Sequence, residues 1–506
     1  MPKTFYQLIK QLFLLTLICF YISCKTKEIT TLERPNILLI VSEDNGPDLG
    51  CYGIKEVTTP HIDKLAANGV LFENAYVPYS VCSPSRGVIF TGLYPHQNGQ
   101  IGLATHKFRM YKEFKTLPVY LKEAGYTTGI LGKIHVNPEK AIPVDFRAIK
   151  GANFGKKKLK HYAEEAGKFI ASSEKPFFLM VNFPDAHYPL QKQVDGMPKN
   201  PMNGADLTGS IPFIGADSER LREYTANYYN SMNRLDESIG MLLESLEKSG
   251  KVDNTLIIYL GDHGAQFSRG KCSNYEAGLK IPLIIKQPNN HNKRFISYEL
   301  VNTIDLLPTL LEVAQVEVPN ELPGKTMLPL INDANATNNR DYIFADGNGS
   351  SVLLYYPRRS VRGKRFKLIH NLLHEKENPK YQFYETHKNG HFDGGTEKQE
   401  ILNSSPEVIE AYNIWRNPPQ YELYDLENDP YEFKNLSEDP KHKETLDHLI
   451  VTLENWQKET KDPLADPVKF ARFNREIDSI NTLYPNHTYA KHKDFEWEYP
   501  DYFFEE

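Results

Sequence analysis

Short apolar runs that lead straight into polar residues recur along this chain, and they limit its fold more than any other feature. Helical patterns at residues 61–67, 117–124 and 222–248 lie between these runs. Strands that alternate with helices form a mostly parallel sheet that is covered on both faces. We therefore expect the α/β class, with a mostly parallel sheet sandwiched by helices. The four runs are residues 36–41, 129–131, 177–181 and 255–260.

The polar residues that follow the four runs are candidates for a common site. In open α/β sheets, ligands bind beyond the carboxyl ends of the strands. Any one of these polar groups could instead cap the next helix, but four of them after four strands favour one shared site. They are Glu43 and Asp44, Lys133 and His135, Asp185 and His187, and Asp262 and His263.

The charge balance argues against a protein that binds polyanions in general. The 506 residues include 59 Lys and Arg against 65 Asp and Glu, which gives a formal net charge of -6. Nucleic-acid binding through bulk charge is therefore not expected, although a local basic pocket for an anionic group stays open. Five cysteines are too few for a disulfide framework in a chain of this length. We expect Cys51 and Cys272 to be inert.

The first two dozen residues have the pattern of an export signal. Lys3 and Lys10 precede an apolar run at residues 12–22 that is too short to span a membrane. The run ends beside Cys24 and resembles a bacterial lipobox, whose cysteine is acylated. We expect residues 1–24 to be a signal peptide and the protein to reside in the cell envelope, in the periplasm or as an outer-membrane lipoprotein that begins at Cys24. An ordinary signal peptide with soluble release is the alternative.

A polar stretch at residues 332–340 has the composition of a linker and predicts a second structural unit after it. We expect a catalytic domain over residues 34–340, a smaller C-terminal α+β subdomain over 341–480 and an aromatic, acidic tail over 481–506. The tail either packs onto the body of the protein or serves as a platform for a sugar. Predicted strands of the subdomain are residues 351–356, 365–370 and 421–425.

Residues 80–92 place a cysteine at a predicted helix start. Because Pro84 suits a first helical turn, the side chain of Cys82 would lie at a helix N-terminus, where anions are favoured. Arg86 would add guanidinium donors to that position. A buried structural cysteine is the other interpretation of these residues taken alone.

The same run resembles the sulfatase signature Cys-x-Pro-Ser-Arg, with Cys82 as its cysteine. Residues 125–135 resemble the second signature of that family, and residues 421–430 resemble part of its C-terminal subdomain. The resemblance covers about residues 34–460 and implies the alkaline-phosphatase-like fold of the type I, formylglycine-dependent sulfatases. Within the family, the chain looks most similar to N-sulfoglucosamine sulfohydrolases and related bacterial polysaccharide sulfatases.

This resemblance also implies a site built around an oxidised cysteine. A dedicated maturation enzyme would convert Cys82 to formylglycine (3-oxoalanine), whose hydrated form would attack sulfur. The implied catalytic residues are Cys82, Arg86, Lys133, His135, His187 and Lys271. The implied substrate-binding residues are Asp185, His187, Arg269 and Lys271.

One Ca²⁺ ion would lie beside the modified cysteine. Glu43 and His263 differ from the residues usual in the family, and imidazole is a softer ligand than Ca²⁺ prefers, so the identity of the metal stays open. The implied metal ligands are Glu43, Asp44, Cys82, Asp262 and His263.

The implied function is removal of sulfate groups from a sulfated polysaccharide or its oligosaccharides, either an algal glycan such as ulvan or a heparan-type glycan. Cleavage of S–O bonds and of S–N bonds both stay open. One alternative is a hydrolase of phosphate or phosphonate esters on the same fold. Another is a non-catalytic protein that captures glycans in the same pocket, but none of the implied site residues is missing from the chain.

Overall fold

An eight-stranded sheet forms the centre of the fold in our computed structural model, which describes residues 34–151, 153–290, 294–386 and 392–505. The predicted signal peptide, residues 1–24, lies outside the described residues. The strands are β1 (Asn36–Ser42), β2 (Val70–Phe72), β3 (Ala75–Tyr76), β4 (Thr127–Gly132), β5 (Phe146–Ala148), β6 (Phe177–Asn182), β7 (Thr255–Gly261), β8 (Leu283–Lys286), β9 (Phe295–Ser297), β10 (Val301–Asn302), β11 (Ile343–Gly347), β12 (Arg358–Arg362), β13 (Phe366–Asn371) and β14 (Tyr421–Asp425).

The helices follow the predicted alternation with the strands in the first part of the chain and cluster in its last part. They are α1 (Pro60–Ala67), α2 (Cys82–Thr91), α3 (Pro95–Asn98), α4 (Leu117–Glu123), α5 (Lys160–Ser172), α6 (Glu219–Lys248), α7 (Glu276–Leu279), α8 (Leu306–Val313), α9 (Leu328–Asn332), α10 (Pro379–Thr386), α11 (Lys398–Leu402), α12 (Pro406–Arg416), α13 (Lys443–Glu459), α14 (Pro467–Leu483) and α15 (Tyr499–Phe503).

The strand order of the large sheet is β5-β4-β6-β1-β7-β8-β2-β9. Strand β1 pairs in parallel with β6 and β7, and β4 pairs in parallel with β5 and β6. Only β8 runs against its described neighbours, β7 and β2. The prediction of an α/β fold with a mostly parallel sheet is confirmed.

Both faces of the sheet are buried, as the apolar composition of its strands requires. Alternate residues of β1 point to opposite sides, so that Ile37 and Leu39 belong to one apolar core, and Leu38 and Ile40 to another. Helices α4 and α8 contribute to the first core, and α1, α5 and α6 contribute to the second.

A smaller antiparallel sheet, in the order β11-β12-β13-β14, lies in the C-terminal part of the chain. Helix α13 packs Leu453 and Trp456 against it. The strand predicted at residues 351–356 is wrong, because Val352–Leu354 form a 3-10 turn. Val352 packs against aromatic residues near the C-terminus, so this segment leaves the sheet.

The aromatic residues of the predicted tail are packed in a core of their own. Trp497 and Tyr499 are buried against Phe108, and Phe503 packs against Phe473 of α14. Across the described ranges, we find no helix that is both long enough and apolar enough to span a membrane.

Candidate active site

Four neighbouring parallel strands end at the same level, and the residues that follow them meet there. In the register of the sheet, Asn182 at the end of β6 lies beside Val41 and Gly132, and Ser42 lies beside Gly261. The predicted polar residues follow directly after these positions. They are Glu43 and Asp44 after β1, Lys133 and His135 after β4, Asp185 and His187 after β6, and Asp262 and His263 after β7.

Cys82 is the first residue of α2 and faces this edge of the sheet. The preceding residue, Val81, is extended, and the cysteine is 2% exposed. Its Sγ lies 3.4 Å from Nε2 of His263 and 4.0 Å from Oδ1 of Asp44. The N-terminus of α2 therefore directs a thiol into a cluster of acids and imidazoles, at a helix end that favours negative charge.

Arg86 lies one turn further along α2 and holds the carboxylates in place. It is fully buried, forms an ion pair with Glu43 and donates to Oδ2 of Asp262 at 3.2 Å. It also donates to Oδ1 of Asn182 at 2.6 Å and to the carbonyl of Lys133 at 3.2 Å. Because its guanidinium donors bind protein groups, Arg86 fixes the positions of the two carboxylates.

Two lysines bring positive charge to the front of the cluster. Nζ of Lys133 lies 2.7 Å from Oε2 of Glu43, and Nζ of Lys271 lies 2.8 and 2.7 Å from the two oxygens of Asp44. Burial opposes the charged form of Lys271, but Asp44 raises its pKa well above the ordinary value. Both side chains are therefore held as ammonium groups where an anion would bind.

Two histidines complete the front of the site. Burial lowers the pKa of His187 to about 3, and burial with Lys133 lowers that of His135 well below its ordinary value, so both rings are neutral at pH 7. Nδ1 of His187 lies 2.8 Å from the carbonyl of Tyr188. Nδ1 of His135 is buried and has no hydrogen-bond partner among the described residues, which leaves it available for a proton.

Asp44, Asp262 and His263 form a donor set that fits a divalent cation. Nδ1 of His263 lies 2.9 Å from the carbonyl of Gly264, while Nε2 faces Oδ1 of Asp44 at 3.1 Å and Oδ1 of Asp262 at 3.7 Å. Although burial opposes it, Asp262 and Asp44 raise the pKa of His263 well above the ordinary value. The two buried carboxylates thus require a positive charge between them, and a metal ion would supply it.

Cys82 and Glu43 border this donor set. Ligand atoms of Cys82, Asp262 and His263 lie within 4.8 Å of one another, and those of Glu43, Asp44, Cys82 and His187 do so as well. Both oxygens of Glu43 are paired with cations, one with Arg86 and the other with Lys133. Glu43 therefore neutralises the cationic side of the site, and Asp44 and Asp262 face the cysteine.

Arg269, which the sequence predicts to bind substrate, lies in contact with the C-terminal part of the chain. Its guanidinium group is 1% exposed and donates to the carbonyls of Tyr431 and Glu432 at 3.0 and 2.6 Å. Arg269 thus anchors the C-terminal part of the chain. Of the two neighbouring cations, Lys271 is the one that faces Asp44.

Asp185, also predicted to bind substrate, has its carboxylate fully buried in an ion-pair cluster. It lies 2.7 Å from Nζ of Lys157 and accepts two hydrogen bonds from Arg234, at 2.9 and 2.7 Å. Burial alone would raise the pKa of Asp185, but Arg234 and Lys157 lower it to about 2. Lys157 also donates to the carbonyl of His187 at 3.0 Å, so the cluster holds the His187 backbone and is not in reach of a sugar.

Sequence reasoning missed several residues that shape the site. Asn182 directly follows the strand predicted at residues 177–181, and that position alone could have indicated it. Phe154 stacks on His187 with ring centroids 3.8 Å apart, and Nζ of Lys133 lies 4.9 Å from the centroid of the same ring. Nothing in the sequence around Phe154 signals this contact, because residues 149–159 carry no periodic pattern.

A cavity of about 540 Å³ opens in front of the cluster. A groove of about 630 Å³ between α1 and α6 is larger but contains none of the predicted site residues. The predicted residues that line the smaller cavity are Cys82, Lys133, His135, His187 and Lys271. The cavity therefore offers a buried nucleophile position, ammonium groups and neutral imidazoles to one anionic group.

Two family profiles match the chain. The profile described as "Sulfatase" matches residues 35–316, and the one described as "N-sulphoglucosamine sulphohydrolase, C-terminal" matches residues 261–406. N-sulphoglucosamine sulphohydrolase from Homo sapiens is 32% identical over 476 residues, which cover 85% of this chain and 91% of that protein. An ulvan-active sulfatase from Formosa agariphila is 29% identical over 448 residues, covering 86% of this chain and 82% of that protein.

A solved structure shares the fold. It is that of a protein in complex with its substrate D-glucosamine-2-N,6-O-disulfate, with a TM-score of 0.63 and 19% sequence identity. The match covers 85% of this chain and 99% of the other.

Proposed function

The chain belongs to the sulfatase family and is a sulfuric ester hydrolase, and from this premise we propose that it desulfates a sulfated saccharide with residue 82, as formylglycine, for its nucleophile. The convergence of Cys82, Lys133, Lys271 and two neutral histidines on one cavity is the observation that supports this proposal. A sulfate ester requires the same groups, since its anion must be neutralised, its sulfur attacked and its leaving oxygen protonated.

Residue 82 would act as the nucleophile. In its formylglycine form it supplies a hydrated aldehyde, whose hydroxyl oxygen attacks sulfur. Its position at the N-terminus of α2, beside Lys271 and Lys133, lowers the cost of gathering negative charge at that point. Cys82 is the only one of the three described cysteines so placed beside Asp44 and His263.

Proton transfers are assigned from hydrogen bonds. Because Nδ1 of His135 is buried, unpaired among the described residues and part of a neutral ring, His135 is the group that accepts a proton. His187 and Lys271 line the same cavity. Since Nδ1 of His187 is tied to the carbonyl of Tyr188, the ammonium group of Lys271 is the better source of the proton that the leaving oxygen takes up.

A Ca²⁺ ion fits the oxygen-rich donors of Asp44 and Asp262, with His263 and residue 82 beside them. When bound, such an ion polarises the sulfate oxygens as a Lewis acid. Arg86 keeps the acids in position for it by binding Asp262 and Glu43 from behind.

Sulfated saccharides, either of the heparan type or of the ulvan type, are the proposed substrate class. The relatives named N-sulphoglucosamine sulphohydrolase and ulvan-active sulfatase each align with more than four fifths of this chain, which supports a glycan over an unrelated ester. We further propose a maturation enzyme that oxidises Cys82, and export to the cell envelope through the signal predicted in residues 1–24.

The test compares Cys82→Ala with Cys51→Ala, a cysteine remote from the cluster. Protein from a host with a formylglycine-generating enzyme is assayed with 4-nitrophenyl sulfate, 4-nitrophenyl phosphate and sulfated saccharides. We expect Cys82→Ala to lower sulfate hydrolysis by about 10⁴-fold or more and Cys51→Ala to leave it unchanged.

Mass spectrometry of the peptide that contains residue 82 supplies the second readout. We expect the mass of formylglycine in active protein. Full turnover by Cys82→Ala, or activity from protein with an unmodified thiol, would contradict the nucleophile assignment. A clear preference for the phosphate ester would instead favour the phosphoester hydrolase.

A further inference from the structure

The cavity is also lined by polar residues from three distant parts of the chain. We call His106, Ser351 and His487 the polar wall. His106 ends the turn Ala104–His106, Ser351 precedes the turn Val352–Leu354, and His487 lies in the turn Pro485–Lys491. All three side chains line the same cavity as Cys82 and Lys271.

Contacts with the surrounding chain hold the two histidines of the polar wall. Their ring centroids lie 4.4 Å apart. The backbone N–H of Leu353 donates to Nε2 of His487 at 3.4 Å, and the hydroxyl of Tyr489 lies 3.1 Å from Nδ1 of His106. These contacts fix the rings from the protein side.

The same contacts favour one position for the hydrogen on each ring. Burial lowers the pKa of His106 to about 4 and also lowers that of His487, so both rings are neutral at pH 7. A neutral ring that accepts at Nε2 carries its hydrogen on Nδ1, which applies to His487. When the hydroxyl of Tyr489 donates to Nδ1 of His106, the hydrogen of that neutral ring is on Nε2.

Ser351 provides an independent indication of a ligand. The residue is 3% exposed, and its Oγ has no hydrogen-bond partner within the described ranges. A buried hydroxyl without a partner costs free energy, and protein cores rarely contain one. A ligand oxygen in the cavity would satisfy it.

We infer that the polar wall binds uncharged oxygen atoms of the sugar ring that carries the sulfate, through the hydroxyl of Ser351 and the ring N–H groups of His106 and His487. This inference rests on the proposed function, since the anion-binding groups take the sulfate and the polar wall takes the rest of the sugar. The wall carries no formal charge, so hydroxyl or amide oxygens suit it better than a second anion.

This inference also settles how the C-terminal tail takes part in the site. Its rings Trp497, Tyr499, Tyr502 and Phe503 are buried in the core with Phe108 and α14, so they offer no platform to a sugar. The tail instead contributes His487, which it holds in place through Tyr489 and the packing of Trp497.

The experiment measures Ser351→Ala and His487→Ala against His492→Ala, an exposed histidine of the same segment outside the cavity. Each variant is assayed with 4-nitrophenyl sulfate, which has no sugar, and with N-sulfoglucosamine, glucosamine 6-sulfate and ulvan oligosaccharides. For the saccharide that the wild type turns over best, we expect the ratio of its kcat/KM to that of the aryl ester to fall about 3- to 10-fold in Ser351→Ala and His487→Ala. His492→Ala should keep the wild-type ratio.

Thermal melting separates recognition from folding. Because Oγ of Ser351 has no partner among the described residues, Ser351→Ala should not lower the melting temperature, although it should lower the ratio of the two kcat/KM values. An unchanged ratio in both variants overturns the inference. So does a wild type that hydrolyses the aryl sulfate but neither hydrolyses nor is inhibited by any of the three saccharides. Absence of hydrolysis of every sulfate ester by protein that contains formylglycine would instead overturn the proposed function.

Discussion

Arg269 and Lys271 are two residues apart in the sequence, but their side chains bind different parts of the protein. Both Arg269 and Cys272 have left-handed backbone conformations, with φ of 66°, and the chain turns sharply between them. The turn directs Lys271 to Asp44 and Arg269 to the carbonyls of the C-terminal part.

We expect substitution of these cations to affect different properties. Lys271→Met should lower kcat/KM for sulfate esters by about 10²- to 10³-fold, because it removes a charge that stabilises the transition state. Arg269→Met should lower the free energy of unfolding by about 1–3 kcal/mol, because it leaves the buried carbonyl of Glu432 without a donor. Steady-state kinetics and urea denaturation measure the two effects. A catalytic loss in Arg269→Met that equals the loss in Lys271→Met would contradict the assignment.

Phe154 is a positioning residue, since His187 stacks on its ring and Lys133 lies over the ring as well. With these neighbours the ring is not a platform for a sugar. We expect Phe154→Ala to lower kcat about 2- to 10-fold, because an aromatic stack contributes about 0.5–1.5 kcal/mol to the order of its partners.

Phe154→Tyr is the matched control and should keep near-normal kcat, because it retains the ring. A substrate platform would show a different pattern, in which Phe154→Ala raises KM for saccharides and leaves kcat unchanged.

At this scale, motif spacing predicted that Cys82 and its neighbours lie at one edge of the sheet, but it did not reveal their side-chain partners. Cys82 begins a helix, and Asp44 and Asp262 come shortly after the ends of strands. Their positions could therefore be predicted from the sequence. Asp185 follows a strand as well, yet it is neutralised by Lys157 and Arg234, which no local pattern connects to it. Such long-range ion pairs depend on tertiary packing, which sequence spacing does not encode.

At the scale of elements, the junction of α1 and α6 contains a buried acid with only backbone donors among its described hydrogen-bond partners. Asp236 of α6 accepts from the N–H groups of Ile62 and His61, at 2.7 and 3.3 Å, and so caps the N-terminus of α1. Burial raises the pKa of Asp236 from 3.8 to about 7. The folded chain therefore holds a proton that the unfolded chain releases.

This difference gives the junction a defined pH dependence. Below about pH 4 the carboxyl is protonated in both states, whereas between about pH 4 and 7 only the folded state keeps the proton, so the contribution of Asp236 to stability falls as pH rises. Between pH 4 and pH 8, we expect the free energy of unfolding of Asp236→Asn to rise by up to about 4 kcal/mol relative to that of the wild type. Urea denaturation at both pH values measures it, and parallel stability profiles of the two proteins would refute the raised pKa.

Helices and strands with strong periodicity were predictable, and segments governed by contacts with distant parts were not. The long helix predicted at residues 222–248 starts a few residues earlier, at Glu219, because Oγ of Ser218 accepts the N–H of Leu221. Residues 351–356 have the composition of a strand, but Val352 is drawn into the core formed by the tail.

At the scale of the molecule, the core around Trp497 joins the tail to the body. Trp497 is 3% exposed, lies 4.2 Å from the ring of Phe108 and donates to the carbonyl of His106 at 3.1 Å. We expect Trp497→Ala to lower the free energy of unfolding of this region by about 3–5 kcal/mol, because it leaves a large cavity.

Hydrogen exchange and limited proteolysis are suitable measurements for that variant, because they report on regions separately. Leu483→Ala is the matched control, since that side chain is 69% exposed. Equal protection of the tail in the two variants would show that the tail is not held by Trp497.

The arrangement of a mostly parallel sheet between helices was the most predictable property of the molecule. The alternation of strand and helix patterns along the sequence indicates it without knowledge of any single contact. The polar wall was not predictable, because its members are separated by more than a hundred residues and belong to turns. No sequence pattern marks Ser351, which is distinguished by a buried hydroxyl that has no hydrogen-bond partner in the part of the chain that the structure describes.

Because β1 lies between β6 and β7, the site draws residues from both halves of the chain, and neither half can be active alone. A cut near Gly250, just after the end of α6, would leave Cys82 on one fragment and Asp262 with Lys271 on the other. Each fragment alone should be inactive. Mixing the two should restore turnover only when β7 forms its parallel pairing with β1. The enzyme is thus suited to a split-reporter format, in which hydrolysis signals that two fused proteins have met.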